Sequence, residues 1–514
     1  MIATRTIKQS RPPLGLLAGG TAAALVALAP IAYLLDRAAS RGWSAAWAEV
    51  AQRRTVDLVA RSVSLAALAT SLCLVIGVAA ALAVTRTDLP GAKAWRVALG
   101  LPLAIPTYLA AYAWISARPS LVGFRGATLV LVLCSYPYVF LPVTAALLRV
   151  DRATEEVAVS LGESRLSVLW KVTLPQVRTS IASGALLTAL YVLSDFGAVG
   201  TMRFQSFTWV IFGAYNAGFD PSRAAILSMV LVVIAIAIAL GEVRARGHAS
   251  SRVGSGSARP GAAIHLGAAR TPVIGGLLVL LLTAIGMPVG SLATWLATTA
   301  TRDVDLADLA RATGNSLVFA ALAAVATLLA ALPAGLLAAR HRGRLSHLLE
   351  RATYLSHALP GVVIGIAMVH VGVRVMRPLY QRTPLLILAY VVIFLPLAVG
   401  GVRSAFEQCP PRFEEIARSL GHSRRRAAVA VAGRLAAPGL AAGAALTFLA
   451  AMKELPATIL LHPTGSDTLA TRLWTYTSVS DYGNAAPYAA ALMLFAAVPT
   501  ALLGWISGRI SGDV

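Results

Sequence analysis

Residues 155–165 read EEVAVSLGESR, and residues 414–424 read EEIARSLGHSR. The two segments are identical at eight of eleven positions and lie 259 residues apart. The same offset continues downstream, where Gly184 aligns with Gly443 and the acidic residue Asp195 aligns with the acidic residue Glu454. Self-similarity at a fixed separation indicates one structural unit used twice. The chain is therefore predicted to contain two homologous halves.

Upstream of the repeated segment the offset becomes 254, because Pro106 aligns with Pro360 and Pro142 aligns with Pro396. Proline removes a backbone donor, so these positions predict breaks or kinks in helices. Such kinks could serve as hinges. Proline is also common in membrane helices without any moving role, and the sequence leaves both interpretations open.

The composition, 57% hydrophobic and 13% charged, differs from the soluble average of about 25% charged residues. Apolar runs long enough to cross about 30 Å of hydrocarbon recur along the chain. We predict an all-α membrane protein with about twelve transmembrane helices in two six-helix halves. The first run exceeds the length of a signal peptide, so an uncleaved helix is favoured. The predicted crossings are 14–35, 58–85, 94–117, 127–149, 178–200, 224–243, 272–297, 313–339, 352–373, 384–402, 438–461 and 485–508.

The net charge of +22 could indicate nucleic acid, but the basic residues follow the positive-inside rule. With the amino terminus in the cytoplasm, the cytoplasmic segments hold 28 of the 44 Lys and Arg residues. We therefore expect both termini in the cytoplasm, contact with anionic membrane lipid and no nucleic-acid partner. Those segments are 1–13, 86–96, 149–178, 244–271, 340–351, 403–434 and 509–514.

An even number of crossings separates the two copies, so they share one orientation in a parallel repeat. The first transmembrane domain is predicted at 1–243 and the second at 272–514. Between them, residues 244–271 are rich in Gly, Ser, Ala and Arg and predict a flexible basic linker. The repeated loops lie at about 150–177 and 404–437, on the same side of the membrane.

Each repeated loop has the features of a short helix followed by a turn. Glu155 and Glu156 stand where carboxylates favour the positive end of a helix. Gly162 tolerates a positive φ and can end that helix, and Leu174-Pro175 is expected to close the loop before the next crossing. An amphipathic helix lying at the membrane interface is the alternative, which the duplication disfavours.

The pattern E-x-A-x-x-x-G, followed after nine residues by an aliphatic residue, one further residue and Leu-Pro, resembles the signature loop of ABC importer permeases. The second copy keeps the Glu-Ala-Gly core and Val431 but has Gly433-Arg434 in place of Leu-Pro. The resemblance implies a MetI-like fold and a coupling helix that docks on an ATPase. The residues assigned to coupling are Glu155, Glu156, Ala158, Gly162, Leu174, Pro175, Glu414, Glu415, Ala417 and Gly421.

The resemblance also implies the partners. These are two copies of an ABC ATPase subunit, which bind ATP and Mg²⁺, and a periplasmic or lipid-anchored substrate-binding protein. The chain has no G-x-x-x-x-G-K-[ST] motif for cradling phosphates, so ATP hydrolysis is expected on the separate subunit. We expect no enzyme activity, catalytic residue, bound cofactor or tight metal site in this chain, which would lie in the bacterial inner membrane.

The closest resemblance is to fused ferric iron permeases, through LPLAIPTYLAAYAW at 101–114, SDFGAVGTMRFQSFT at 194–208 and MKELPATILLHPTGSDTLATRLW at 452–474. Ferric iron is the expected cargo. Thiamine, aminoalkylphosphonate, sulfate and polyamine permeases share the architecture and remain alternatives. An ion-coupled secondary transporter is the alternative from another class, because it would use membrane carboxylates such as Asp195 and Glu454.

Asp195, Lys453 and Glu454 are predicted inside helices, toward their outer ends, where an ionisable group needs a partner or water, and they are candidates for the pathway or gate. The alternative is that they reach the head-group region, as lysine side chains can. His357 and His370 lack neighbours with ligand spacing, which favours packing or interfacial roles over iron binding. Cys73, Cys134 and Cys409 show no paired spacing. The loops at about 201–221 and 462–484 suit docking of the binding protein through polar residues, and ordinary solvated loops are the alternative. Those residues are Arg203, Asp220, Asp467, Arg472, Tyr476, Asp481 and Tyr482.

Overall fold

The chain is helical in a computed structural model that describes residues 12–148, 150, 153–218, 220–246, 264–298, 305–341, 343–356, 359–409 and 411–510. Among these described residues, nine helices are long and apolar enough to cross a membrane, fewer than the twelve crossings predicted. The pair Ala92–Ala104 and Thr107–Ala117, bent by 88°, brings the number to ten if it is counted as one span. Across the described residues the β-structure is a single isolated bridge between Thr87 and Ile264. The all-α membrane fold class is confirmed.

The helices of the first half begin with Leu14–Ser40, Trp43–Val50 and Arg53–Arg86 and continue to Pro221–Arg246. Between these lie Ala92–Ala98, Leu101–Ala104, Thr107–Ala117, Gly123–Ser135, Pro137–Leu147, Ala153–Ser160, Arg165–Val168, Leu169–Thr173, Leu174–Ser194, Gly197–Thr201 and Phe207–Asn216. The second half comprises Gly267–Ala269, Arg270–Leu281, Leu282–Gly286, Met287–Thr298, Leu306–Arg340, Arg344–Leu355, Gly361–Arg374, Arg377–Leu379, Thr383–Glu407, Pro411–Ser419, Arg424–Ala427, Ala428–Gly433, Arg434–Met452, Pro456–Leu461, Leu469–Ser478 and Tyr482–Ile510.

The predicted crossings 94–117 and 352–373 are each interrupted at a proline. Pro106 and Pro360 each stand immediately before a helix, with extended ψ angles of 139° and 149°. A proline at this place has no N–H to donate to a preceding turn, so the chain restarts as a new helix there. The predicted breaks at these two prolines are confirmed, whereas Pro142 and Pro396 lie inside helices.

The described chain divides into two compact units that exchange helices between the sequence halves. The first-half unit comprises Ser44–Asp303 and Tyr476–Val514, and the second-half unit comprises Met1–Trp43 and Val304–Thr475. Within the second-half unit, helix Leu14–Ser40 packs on helix Leu306–Arg340. Within the first-half unit, helix Met287–Thr298 packs on Thr107–Ala117. The first crossing of each sequence half therefore belongs to the unit built from the other half.

The same three-helix arrangement forms the centre of each unit. In the first-half unit, Arg53–Arg86, Pro137–Leu147 and Leu174–Ser194 pack against one another. Gly184 allows the close approach, because a Cβ there would stand 2.8 Å from the Cα of Val139. Small residues permit such contacts between membrane helices, where van der Waals packing drives association. The equivalent helices of the second-half unit are Leu306–Arg340, Thr383–Glu407 and Arg434–Met452.

Candidate functional site

The repeated segments form two short helices, which we call the first repeat helix, Ala153–Ser160, and the second repeat helix, Pro411–Ser419. A glycine in the left-handed region stands two residues after the end of each helix, where Gly162 has φ +90° and Gly421 has φ +88°. The N–H of Glu163 donates to the carbonyl of Ala158, and the N–H of the equivalent His422 donates to the carbonyl of Ala417, both at 3.1 Å. This closure satisfies a terminal carbonyl and needs a left-handed residue, so the predicted helix and glycine turn are confirmed.

An arginine anchors each repeat helix to the long helix of its unit. Arg86, at the end of Arg53–Arg86, places Nη2 3.0 Å from Oε1 of Glu155. Arg340, at the end of Leu306–Arg340, places Nη2 2.8 Å from Oε1 of Glu414. Sequence reasoning missed both arginines, although they occupy equivalent positions at the upstream offset of 254. The equivalence of Arg86 and Arg340 was the sequence feature that could have identified them.

The glutamates predicted for coupling divide into two groups. Glu155 and Glu414 are partly buried in the anchors, whereas Glu156 and Glu415 are exposed. Beside the exposed glutamates each repeat helix presents unburied aliphatic side chains at equivalent places. Leu161 is 79% exposed and its counterpart Leu420 is 75% exposed. An apolar surface of this kind, repeated with a carboxylate beside it, is typical of a protein-binding site.

A π-helical turn follows each repeat helix, at Leu169–Thr173 in the first half and Ala428–Gly433 in the second. The helix from Leu174 to Ser194 continues directly from the first of these turns. The prediction that Leu174-Pro175 lies in the loop is therefore wrong, since both residues are helical. Pro175 has no N–H to donate, which is compatible with a change of hydrogen-bond register at this point.

The two anchors differ in their additional contacts. Thr173, which is buried, donates from Oγ1 to Oε1 of Glu155 at 2.8 Å. The equivalent position in the second half is Ala432, which has no hydroxyl group. In the first half, Glu163 also accepts from Ser167 and from Nζ of Lys171 at 2.9 Å. The hydrogen bond from Ser167, followed by Lys171, lowers the pKa of Glu163.

A cleft of about 310 Å³ lies beside the first repeat helix, and the end of the linker forms part of its wall. Ile264 N–H donates to the carbonyl of Arg86 at 2.8 Å, and Asp88 N–H donates to the carbonyl of Ile264 at 3.2 Å. Leu266 N–H donates to Oδ1 of Asp88 at 2.9 Å. This bond, followed by the one with His265, lowers the pKa of Asp88. The linker is thus fixed at this end, while residues 247–263 lie outside the described residues.

Asp195 lies at a break between helices Leu174–Ser194 and Gly197–Thr201, not inside a helix as predicted. Its Oδ1 accepts from the N–H of Ala198 at 2.9 Å, and its Oδ2 accepts from Oγ1 of Thr107 at 2.6 Å. The break forms because the carboxylate caps the short helix that follows. Burial of this group is thereby matched by hydrogen bonds.

Lys453 and Glu454 occupy the equivalent break, after Arg434–Met452, so their predicted place inside a helix is also wrong. Glu454 accepts from the N–H groups of Ala457 and Thr458, both at 3.0 Å. Oγ1 of Thr458 donates to the same carboxylate at 2.8 Å. The two equivalent carboxylates therefore share a capping geometry, which gives each a structural function irrespective of any part in a gate.

The histidines and cysteines take packing positions where they are described. Nη2 of Arg37 lies 3.1 Å from Nδ1 of His370, whose ring packs on Tyr33 with centroids 4.8 Å apart. His357 lies outside the described residues. The three cysteines are buried and form no disulfide bond. Over the described part of the chain, no three His, Cys, Asp or Glu side chains are grouped to hold a metal ion.

Several residues predicted to receive a binding protein have local partners. Asp220 accepts from the N–H of Arg223, and Asp481 accepts from the N–H of Asn484, so both cap helices. Tyr482 stacks on Trp295 with ring centroids 5.1 Å apart. Arg203 is exposed and has φ +54°. Further contacts join Asp467 to Arg472 and the ring of Tyr476 to that of Tyr488.

Comparison with known proteins identifies the family of the chain. Residues 331–512 match the family described as binding-protein-dependent transport system inner membrane component. The chain is 34% identical over 478 residues to the Fe(3+)-transport system permease protein FbpB 2 of Haemophilus influenzae, covering 92% of this chain and 94% of that protein.

Two further relatives match shorter parts of the chain. The molybdenum transport system permease protein ModB of Mycobacterium tuberculosis is 29% identical over 39% of this chain and 83% of its own length. The sulfate transport system permease protein CysW of Escherichia coli is 25% identical over 42% of this chain and 82% of its own length. The chain therefore belongs to the ABC transporter permeases, in the family of ferric iron transport permeases.

Proposed function

We propose that this permease carries ferric iron across the bacterial inner membrane, with both of its termini in the cytoplasm. Iron is the cargo, delivered by a periplasmic or lipid-anchored binding protein. The similarity to the Haemophilus influenzae protein supports this choice, because it extends over 94% of that protein. The molybdenum and sulfate relatives each match about two fifths of this chain and support the transporter class more than a cargo.

The observation that carries the mechanism is the repeated anchor, Arg86 with Glu155 and Arg340 with Glu414. Each repeat helix presents an exposed glutamate and leucine, which we assign to docking of one of two ATPase subunits. Movement of the docked helix is transmitted through the arginine to the end of the long membrane helix. ATP and Mg²⁺ are bound by the ATPase, and this chain supplies no catalytic residue or cofactor.

Reconstitution tests the cargo and the energy source together. The chain is placed in liposomes with its ATPase, and a ferric-binding protein loaded with ⁵⁵Fe³⁺ is enclosed or added on the binding-protein side. We expect iron uptake that requires ATP and the binding protein. Molybdate, sulfate, thiamine, polyamine or aminoalkylphosphonate uptake with the corresponding binding proteins would replace iron as cargo. Uptake without an ATPase, driven by an ion gradient, would overturn the class of energy coupling.

A further inference from the structure

The long helices Arg53–Arg86 and Leu306–Arg340 each have a repeat helix at their last residues. The surfaces around their first residues differ in charge, and we call these surfaces the outer ends. Helix Arg53–Arg86 has 34 residues and is about 50 Å long, so its first turns stand far from the Arg86 anchor. Arg54, Asp57 and Arg61 lie there at spacings that place them on one helix face. Arg54 and Arg61 are exposed.

These side chains line a cleft of about 80 Å³ together with Gln205 and Arg223. Nη1 of Arg61 is 3.4 Å from Oε1 of Gln205. Nε of Arg223 is 2.8 Å from Oε1 of Glu49, so the charge of Arg223 is balanced. The excess positive charge of this outer end therefore resides on the exposed arginines.

The outer end of the second-half unit has the opposite character. At the offset of 254, Arg54 corresponds to Asp308, Asp57 to Arg311 and Arg61 to Asn315. Oδ1 of Asp308 lies 2.8 Å from Nη2 of Arg472, and Nδ2 of Asn315 donates to the carbonyl of Asp467 at 2.9 Å. Here acids and bases neutralise one another in a connected network.

The backbone at the two outer ends is nevertheless similar. Ser62 accepts from the N–H of Phe207 at 3.1 Å, and the equivalent Ser316 accepts from the N–H of Leu469 at 2.8 Å. The loops that precede Phe207 and Leu469 are thus attached to the long helices by the same kind of hydrogen bond. The two outer ends differ in the charges of their side chains and not in this backbone attachment, so the difference in charge does not result from a different fold.

A count over equivalent positions gives the size of the difference. In residues 51–61, three arginines against one aspartate leave +2. In the equivalent residues 305–315, one arginine against two aspartates leaves −1. The first set is Arg53, Arg54 and Arg61 with Asp57, and the second is Arg311 with Asp305 and Asp308.

We propose that this charge reversal fixes the orientation in which the binding protein docks. Two outer ends of similar backbone would otherwise accept a two-sided partner in either of two orientations. Opposite charge at equivalent positions favours one orientation and repels the other. The partner accordingly presents an acidic surface to the first-half unit and a neutral or basic surface to the second-half unit. This inference rests on the proposed function, since it requires a delivering protein.

The test transplants the charges of residues 305–315 onto residues 51–61 by combining Ala51→Asp, Arg53→Ala, Arg54→Asp, Asp57→Arg and Arg61→Asn. The chain and its ATPase are placed in nanodiscs, and stimulation of ATP hydrolysis by the iron-loaded binding protein is titrated. We expect the half-maximal concentration to rise about tenfold and its dependence on salt to weaken, with basal hydrolysis unchanged. Arg118→Asp, an exposed arginine outside the equivalent positions, is the matched control and should change the half-maximal concentration less than twofold.

Orientation is read directly by cross-linking from a cysteine introduced at Gln205, because the three native cysteines are buried. We expect one set of binding-protein peptides with the wild-type charges and two sets with the transplant. An unchanged titration together with one unchanged set would overturn the proposal. So would an effect that appears only in nanodiscs containing anionic lipid, which would assign the arginines to head groups. If the wild type is not stimulated at all, the proposed function fails instead.

Discussion

The two repeat helices share a backbone and differ in what holds them. Both end at a glycine with φ near +90°, and both are anchored by an arginine of the long helix. The first has an additional hydrogen bond from Thr173 and the cluster around Glu163. The second has aligned residues that cannot form either, and its loop contains Arg424-Arg425-Arg426. Duplication preserved the geometry of the repeat helices, while the contacts around their anchors diverged.

The largest expected effect is from breaking the first anchor with Arg86→Gln. Arg86 is 6% exposed and Glu155 is 19% exposed, so the change leaves a carboxylate partly buried without its cation. Breaking a buried pair costs about 3–5 kcal/mol, and partial exposure places this case at about 3 kcal/mol. Arg340→Gln should cost less, about 1–2 kcal/mol, because that pair is 17% and 29% exposed. Thermal unfolding in detergent and the ratio of stimulated to basal ATP hydrolysis measure both losses.

The double variant Arg86→Gln with Glu155→Gln is the control for this comparison. It removes both charges and leaves two amides that can hydrogen-bond, so much of the lost stability should return. Equal losses for Arg86→Gln and Arg340→Gln, with no recovery in the double variant, would show that the two anchors do not differ as their burial indicates.

Glycine replacement should affect both repeat helices equally. Gly162→Ala and Gly421→Ala each force a side chain into the left-handed region, at about 1–2 kcal/mol. No heavy atom lies within 4 Å of the added Cβ in either case, so the backbone conformation alone causes the loss. Hydrogen exchange of the repeat helix and transport activity report it. Asn tolerates this conformation, so Gly162→Asn should retain more function than Gly162→Ala; the reverse order would refute the role of φ.

Much of this architecture was predictable, and the exceptions have physical causes. Nine of the twelve predicted crossings are long apolar helices in the described part of the chain, and these followed from apolar runs. The glycine turns followed from a residue type suited to positive φ. The place of Asp195 was not predictable from hydropathy, because capping depends on the short helix that follows it. The anchors escaped prediction because Arg86 and Glu155 are 69 positions apart, and one sequence gives no distance between them. The packing of the first crossing of each half in the unit of the other half likewise depends on tertiary contacts, which leave no local sequence pattern.

A smaller effect is expected from Thr173→Ala, which makes the first anchor resemble the second. Removing the hydroxyl takes one hydrogen bond from Glu155 while Arg86 remains, so a loss of about 1 kcal/mol is expected. Thr173→Ser retains the donor and serves as the matched control. Thermal unfolding measures the change, and a Thr173→Ala variant indistinguishable from the wild type, with Arg86→Gln still destabilising, would assign the anchor to the ion pair alone.

The smallest effect concerns Glu163, because its pair with Lys171 is 41% and 66% exposed and surface pairs contribute little. Because the pKa of Glu163 is lowered, the stabilisation that its carboxylate provides decreases as the pH falls. A carboxylate with a depressed folded pKa stabilises above its ordinary value of 4.5 and loses that contribution as the pH falls through the folded pKa. Hydrogen exchange of residues 161–173 should therefore quicken on acidification below pH 4.5, relative to the Glu163→Gln variant. His422→Glu combined with Ala430→Lys should transfer the same acid sensitivity to the second loop, and a second loop unaffected by pH in that variant would show that the cluster depends on more than these two charges.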